Sequence, residues 1–328
     1  MTTRLVLGLV GLGAALGLGL RPPDEIEITE WPVPWEQSRP RDPYVRPDGR
    51  VWFVGQRSHY VAALDPATGL FQRFDLDAGT GPHNLIVDAA GIVWYAGNRA
   101  AHIGRLDPAT GHMAKFATPA PIEDPHTLVF TRSGDIWFTA QQSNHIGRFT
   151  PATGAFESVP VPTARARPYG IALDAEDRPW IALFGTNKLA TVDPATMALR
   201  EIPLPRAEAR PRRVVCTSDG MVWYGDYRGG YLGRFDPTTG TFTEWRLPSG
   251  DAALPYAMAV DHRDRIWLVE TGTQPNRFVG FDPRSEEFFG ITPIESGGGS
   301  VRHMVFHRPD RTIWFGTDAN TIGRARIP

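Results

Sequence analysis

The chain has 328 residues and an almost balanced charge, with 34 lysines and arginines against 36 aspartates and glutamates. The sequence contains no basic stripe, and this argues against nucleic-acid binding, which requires clustered positive charge. Hydrophobic residues make up 41% of the chain, together with 34 glycines and 30 prolines. This composition indicates a folded, turn-rich protein rather than a disordered one.

The N-terminal segment has the pattern of an export signal. Arg4 precedes an apolar run from Leu5 to Leu20, and Arg21-Pro22-Pro23 ends this run. The run is shorter than the roughly 20 residues that a membrane-spanning helix needs. We therefore expect residues 1–23 to be a signal peptide and the protein to be periplasmic or secreted, with no transmembrane domain after signal removal. An uncleaved N-terminal anchor is the alternative.

The next segment resembles a strand that has been separated from its repeat. Residues 29–34 (Thr-Glu-Trp-Pro-Val-Pro) are similar to residues 243–248, which form the last strand of a later repeat. The final repeat stops at residue 328, after its third strand. Because an unfilled position would leave an open sheet edge, we expect residues 26–34 to pair with the C-terminal strand and close a ring.

A tryptophan recurs through the rest of the chain, with spacings of 42, 43, 43, 43, 44 and 47 residues. The series consists of Trp52, Trp94, Trp137, Trp180, Trp223, Trp267 and Trp314. Each tryptophan lies in a unit of four short apolar runs separated by turn sequences such as Asp65-Pro66-Ala67-Thr68-Gly69. Runs of this length between turns are typical of strands. The sequence predicts a seven-bladed β-propeller of four-stranded antiparallel blades over residues 24–328, with the tryptophans at the seams between blades.

Two sets of side chains should meet at one end of the central channel, because the first strand of an antiparallel blade starts beside the end of the second. The first set occupies the opening position of each blade, directly after a proline except in the last blade, where Arg302 replaces it: Tyr44, His83, His126, Tyr169, Arg212, Tyr256 and His303. The second set lies three positions beyond each tryptophan: Gly55, Gly97, Ala140, Leu183, Asp226, Glu270 and Thr317. The first set contains only His, Tyr and Arg, and this predicts a functional pocket at the channel mouth, with a solvated rim as the alternative.

The repeat resembles that of the streptogramin B lyase (virginiamycin B lyase) family. The similarity extends over residues 26–328 and is strongest in Trp137-Phe138-Thr139 and in Asn144-His145-Ile146-Gly147-Arg148. The resemblance implies a seven-bladed propeller that linearises a cyclic depsipeptide by elimination. It also implies Mg²⁺, histidines at the opening positions of two consecutive blades, and a glutamate after the Trp-Phe pair of the second of these blades.

The sequence departs from this family pattern. By blade order the two histidine positions fall on Tyr256 and His303, and the acid falls near Asp318. By residue type the adjacent histidines are His83 and His126, but the acid position there holds Ala140 or Gln141. No blade carries the complete set.

Three functions therefore remain open. The first is a carbon–oxygen lyase in which one of three histidines is the base: His303, His83 or His126. Mg²⁺ or another divalent cation would then be held by carboxylates such as Asp318, Glu270 and Asp226. The second is a non-catalytic propeller that binds a small molecule, a cyclic peptide or ester, or a protein through Tyr44, Tyr169, Arg212 and Tyr256. The third is a metal-dependent lactone hydrolase, similar to gluconolactonase propellers, which would use Glu270, Asn98 and Asp226. The sequence gives no indication of the oligomeric state.

Overall fold

Seven four-stranded antiparallel sheets form the blades of a propeller in the computed structural model, which describes residues 26–46 and 48–328. The predicted fold class and blade number are confirmed. The signal-peptide prediction for residues 1–23 lies outside the described residues. Within the described ranges, no helix has the length and apolar character needed to cross a membrane.

The strands are numbered in chain order. The first strand is β1 (Glu27–Pro32). Blade 1 contains β2 (Pro40–Val45), β3 (Val51–Gly55), β4 (Tyr60–Asp65) and β5 (Leu70–Asp75). Blade 2 contains β6 (Pro82–Val87), β7 (Val93–Gly97), β8 (His102–Leu106) and β9 (Met113–Ala117). Blade 3 contains β10 (Pro125–Phe130), β11 (Ile136–Ala140), β12 (His145–Thr150) and β13 (Ala155–Pro160). Blade 4 contains β14 (Pro168–Leu173), β15 (Pro179–Leu183), β16 (Lys188–Val192) and β17 (Leu199–Pro203).

Blade 5 contains β18 (Pro211–Cys216), β19 (Val222–Asp226), β20 (Tyr231–Phe235) and β21 (Phe242–Arg246). Blade 6 contains β22 (Pro255–Val260), β23 (Ile266–Glu270), β24 (Arg277–Asp282) and β25 (Glu287–Pro293). Blade 7 contains β26 (Val301–His307), β27 (Thr312–Thr317) and β28 (Thr321–Arg326), together with β1. Short 3₁₀ turns cover Asn98–Ala100 and Gly250–Ala252.

The ring is closed by its two ends, as the sequence predicts. Strand β1 pairs antiparallel with β28, from Glu27 opposite Arg326 to Pro32 opposite Thr321. The Trp31 ring stacks on Trp314 of the same blade, with ring centroids 5.4 Å apart. The N-terminal strand therefore covers the edge that β28 would otherwise expose.

The repeated tryptophans are buried, and the hydrophobic core is divided among the seams between blades. One apolar cluster joins Trp52 of blade 1 to Leu85 and Tyr95 of blade 2, and equivalent clusters lie around the ring. Six of the tryptophans are at most 1% exposed, and Trp94 is 5% exposed. Face-to-face packing of sheets needs such large apolar side chains, and this explains why the tryptophan recurs once per blade.

The Asp-Pro-Ala-Thr-Gly sequence forms the tight connection between the third and fourth strands. In blade 1 the Asp65 carboxylate accepts the Ala67 amide at 2.9 Å, and the Gly69 amide donates to the Asp65 carbonyl at 2.8 Å. Gly69 has a φ of 72°, a conformation that glycine adopts without steric cost. The local sequence therefore sets the hairpin that brings the outer two strands together in the blades that carry this turn.

A bulge interrupts the first strand of every blade close to its opening residue. In blade 2, Pro82 lies opposite Gly97 and Leu85 lies opposite Tyr95, so one strand advances three residues while its partner advances two. The register shifts at the same place in blades 3 to 7. In blade 1 it shifts one residue later, after Arg41. Bulges re-aim side chains, and here two residues per blade, such as His83 and Asn84, leave the regular pleat at the channel mouth.

Candidate functional site

The channel mouth is built from the two residues after the opening position of each blade. The register places at the first position Arg41, His83, His126, Tyr169, Arg212, Tyr256 and Arg302. The second position holds Asp42, Asn84, Thr127, Gly170, Arg213, Ala257 and His303. These fourteen positions contain four arginines and one aspartate, so the mouth is electropositive.

Two blades correct the alignment made from sequence. Blade 1 contains two prolines three residues apart, and Pro40 rather than Pro43 is the opening residue because it lies opposite Gly55. The placement of Tyr44 at the mouth is therefore wrong: this side chain lies opposite Trp52 and packs in the seams beside blade 2. In blade 7, Val301 takes the place of the proline, so His303 moves to the second position.

The three histidines singled out from sequence all lie at the mouth. The rings of His83 and His126 contact each other with centroids 3.5 Å apart, and His126 lies 4.3 Å from the Tyr169 ring. Burial, followed by the positive charge of Arg41, lowers the pKa values of His83 and His126 well below the usual range. Burial and Arg213 lower the pKa of His303 to about 4. All three imidazoles are therefore neutral at neutral pH.

Asp42 is the carboxylate that organises this part of the channel. It is fully buried, contacts Arg41 Nε at 3.1 Å and Arg213 Nη2 at 3.6 Å, and accepts a hydrogen bond from Asn84 at 3.0 Å. Burial opposes its ionisation, but Arg41, His303 and Arg213 outweigh burial and hold the pKa of Asp42 well below its ordinary value. Three blades are thus tied together by one buried negative charge.

Tyr169 and Tyr256 meet across the channel beside Arg212. Their hydroxyl groups form a hydrogen bond, and the Arg212 guanidinium carbon lies 3.5 Å from the Tyr256 ring centroid and 5.2 Å from that of Tyr169. The same guanidinium lies 4.6 Å from the Phe184 ring and 4.3 Å from the Tyr227 ring. Three of the four substrate-binding residues predicted from sequence, namely Tyr169, Arg212 and Tyr256, are therefore brought together.

The arginines around the tyrosine pair shift its ionisation. Burial disfavours the phenolate, but Arg212, Arg41 and Arg213 and the hydrogen bond from Tyr256 lower the pKa of Tyr169 to about 8. Burial and the neighbouring Tyr169 raise the pKa of Tyr256. The other titratable side chain in contact with Tyr169 is His126, which is neutral. The hydrogen-bonded pair therefore loses its first proton more readily than an isolated phenol does.

We expect a spectrophotometric titration of the folded protein to show one phenol ionising near pH 8, well below the ordinary value of about 10. The Tyr169→Phe variant should lack this step, whereas the matched Tyr44→Phe variant should keep it. Ionisation adds a negative charge beside Arg212, so anion affinity at the mouth should fall as the pH rises through the same step. A wild-type protein without any phenolate signal below pH 9 would contradict this assignment.

The three carboxylates proposed as metal ligands are each engaged elsewhere. Glu270 accepts the Ser249 amide at 2.9 Å and contacts Arg277 at 2.7 Å, and Asp226 accepts the Arg210 amide at 2.8 Å. Asp226 also forms an ion pair with Arg206, and Asp318 forms ion pairs with Arg302 and Arg39.

The donor set does not fit a divalent cation. Hard divalent cations bind to oxygen ligands such as carboxylates, but the three predicted carboxylates are paired with arginines. No group of three or more His, Cys, Asp or Glu side chains suited to a metal occurs within residues 26–46 and 48–328. Asn98, which the lactonase hypothesis used, donates to the carbonyl oxygens of Asp124 and Pro125 at 3.3 and 3.0 Å. The positive charge at this mouth comes from arginine side chains.

Sequence reasoning missed the residues that dominate this charge. They are Arg41, Asp42, Arg213 and Arg302. Three guanidinium nitrogens here are buried without a hydrogen-bond acceptor among the described residues: Arg41 Nη2, Arg212 Nε and Arg213 Nη2. Counting back the same number of residues from each tryptophan would have found Arg41. In blade 7 the same count reaches His303 instead of Arg302, because the turn between its first two strands is one residue longer. The side chains at the second position could not have been assigned to the mouth from sequence, because they reach it only through the bulge.

The described residues form a seven-bladed β-propeller with a polar, cationic mouth at one end of its channel. Residues 20–278 match the model of the virginiamycin B lyase family. The chain belongs to the virginiamycin B lyase family. A comparison with curated proteins found no significant match.

Solved structures share the fold along nearly the whole chain. Virginiamycin B lyase from Staphylococcus aureus is 22% identical with a TM-score of 0.84, and the match covers 93% of this chain and all of that one. A streptogramin B lyase structure is 25% identical with a TM-score of 0.83, covering 92% of this chain and 98% of that one. The extracellular domain of a hybrid two-component system protein from B. thetaiotaomicron is 14% identical with a TM-score of 0.70, covering 92% of this chain and 42% of that one.

Proposed function

We propose that this propeller binds a carboxylate-bearing small molecule at the channel mouth, with arginine side chains supplying the positive charge. The observation that carries the proposal is the set of buried guanidinium nitrogens on Arg41, Arg212 and Arg213 that lack an acceptor among the described residues. Buried charged donors without an acceptor are costly. A bound carboxylate would accept two parallel hydrogen bonds from one guanidinium and remove this cost.

The walls of the mouth favour an anion with an apolar body. Arg212 is partly exposed, and the rings of Phe184 and Tyr227 beside it are partly exposed as well. An arginine fixed between aromatic rings loses little conformational freedom on binding, because it is already held in place. The proposed ligand thus places its carboxylate on Arg212 and its apolar part against Phe184 or Tyr227.

Calorimetric titration with benzoate, and with its uncharged amide benzamide, tests this proposal. Wild-type protein should bind benzoate and not benzamide, and the affinity should fall with added salt because the attraction is partly electrostatic. Replacing Arg212 by Gln should weaken benzoate binding about tenfold or more, since a charge-assisted hydrogen bond contributes about 1.5–3 kcal/mol.

The matched control is Arg284→Gln, which removes one positive charge from an exposed turn outside the mouth. This variant should bind benzoate as the wild type does. Equal affinity for benzoate and benzamide, or an Arg212→Gln variant that binds benzoate as well as wild type, would refute carboxylate binding at Arg212.

A second candidate, elimination, is favoured by the neutral histidine pair His83 and His126 in contact with Tyr169. A neutral imidazole can take a proton. In an ester-linked cyclic peptide, the imidazole would take a proton from the carbon next to the one that carries the ester oxygen. The electrons of the broken C–H bond would form a carbon–carbon double bond while the carbon–oxygen bond breaks and a carboxylate leaves. A catalytically inactive virginiamycin B lyase from Staphylococcus aureus has been solved with quinupristin, which makes quinupristin the natural probe.

Incubation with quinupristin and liquid chromatography with fragmentation mass spectrometry separates the two candidates. Elimination yields a linear isomer of unchanged mass, and its formation should be abolished in His126→Ala. Formation of this isomer by wild type but not by His126→Ala would support the lyase. Benzoate binding without any linear isomer would support the binding propeller alone.

A further inference from the structure

A cavity of about 430 Å³ lies beside the channel mouth, between the loops that lead into blades 4 and 5. Its lining residues are Ala164, Arg165, Arg167, Phe184, Gly185 and Arg210. Half of these residues are arginines and none is acidic, so the cavity is a second concentration of positive charge.

The three arginines of this cavity differ in how the rest of the protein holds them. Arg165 and Arg167 are exposed, and neither forms an ion pair with any of the described residues. Arg210 is held in place, because its guanidinium donates to the carbonyl oxygens of Ala207 and Ala209 at 3.3 and 2.6 Å. The cavity therefore combines one fixed guanidinium with two that are free to close on a ligand.

Phe184 connects this cavity to the mouth. Its ring lines the cavity and also lies 4.6 Å from the guanidinium carbon of Arg212, which faces the channel. The ring packs against Tyr169 and Tyr227 with centroid distances of 5.6 and 5.8 Å, so its position is set from both sides. Two cationic sites are thus separated by the breadth of one apolar ring.

We propose that the ligand of this propeller is a dicarboxylate whose first carboxylate lies on Arg212 and whose second lies among Arg165, Arg167 and Arg210. The proposal rests on carboxylate binding at the mouth and adds the second anionic group. A hydrocarbon linker between the two carboxylates would lie against Phe184, where burial of its methylene groups is favourable. Since both ends belong to one molecule, binding at the second site adds affinity without a second loss of translational freedom.

Calorimetry with adipate and hexanoate, which have the same number of carbon atoms and differ by one carboxylate, tests the second site. Adipate should bind wild-type protein about tenfold or more tightly than hexanoate, as expected for an added charge-assisted contact. In the double variant Arg165→Gln and Arg167→Gln, which keeps Arg210, adipate affinity should fall several-fold toward the hexanoate level while hexanoate affinity stays unchanged. Both residues are exposed, so this variant is expected to fold.

Arg284→Gln again serves as the charge-matched control and should keep the preference for adipate. Equal affinity of wild type for adipate and hexanoate would overturn the second site while leaving carboxylate binding at the mouth intact. A preference for adipate that is as large in the double variant as in wild type would overturn it too, because the second carboxylate would then lie elsewhere. Absence of binding by both acids would instead remove the proposed function and the second site together.

Discussion

Replacing Asp42 by Asn is expected to lower the free energy of unfolding by about 3–5 kcal/mol, because it leaves buried guanidinium groups without a counter-charge. Asp42 is fully buried and contacts Arg41 and Arg213, which come from blades 1 and 5. Asn keeps the size of the side chain and is tolerated at the φ of 48° that Asp42 adopts, so the loss of charge dominates the change. Urea denaturation followed by circular dichroism measures the difference.

The matched control is Asp75→Asn, since Asp75 also pairs with an arginine but its side chain is 73% exposed. Exposed pairs contribute about 0–1 kcal/mol, so this variant should remain close to wild type. The low pKa of Asp42 in the folded state stabilises the protein above the unfolded value of about 3.9. The difference between wild type and Asp42→Asn should therefore shrink as the pH falls below about 4. A loss under 1 kcal/mol at neutral pH would show that Asp42 does not hold the channel together.

Removal of β1 is expected to cost about 4 kcal/mol or more, even though only the N-terminal strand is lost. A protein starting at residue 34 lacks Ile26, which is 4% exposed, and the partly buried Ile28 and Trp31. Burial of one such side chain stabilises by about 1.5–3 kcal/mol. The truncation also uncovers β28, whose unpaired backbone groups favour association between chains. Denaturation and size-exclusion chromatography should show both effects.

A protein starting at residue 26 is the control for this truncation, because it keeps β1 and all of its pairing with β28. It should match the full chain in stability and in elution volume. If the two truncated proteins unfold at the same urea concentration, then β1 does not contribute to closing the ring and the seam around Trp31 and Trp314 is dispensable.

The charged side chains at the mouth differ from those that the family resemblance led us to expect. That expectation required a divalent cation held by carboxylates, but Asp226, Glu270 and Asp318 are all paired with arginines. Positive charge is present all the same, in the guanidinium groups themselves. A shared fold does not by itself determine function, which depends on the side chains of the site.

Part of the site could be predicted from the sequence, and particular residues show where prediction stops. His83, His126, Tyr169, Arg212 and Tyr256 were placed correctly, because the opening proline marks the same strand position in their blades. The prediction was wrong in blade 1, where Pro43 was taken for the opening proline and Tyr44 was therefore placed at the mouth. In blade 7, where Val301 replaces the proline, the predicted position of His303 was off by one residue.

The sequence by itself determined the number of blades, the buried tryptophans, the hairpin turns and the closure of the ring. These features depend on local patterns that repeat every 42–47 residues, because every blade packs against its neighbours through equivalent side chains. Only the tertiary structure decided that Tyr169 meets Tyr256, 87 positions away, and that Arg213 reaches Asp42 from the far side of the channel. Such contacts join side chains from different blades, and their partners depend on the bulge geometry around the whole ring rather than on any one repeat.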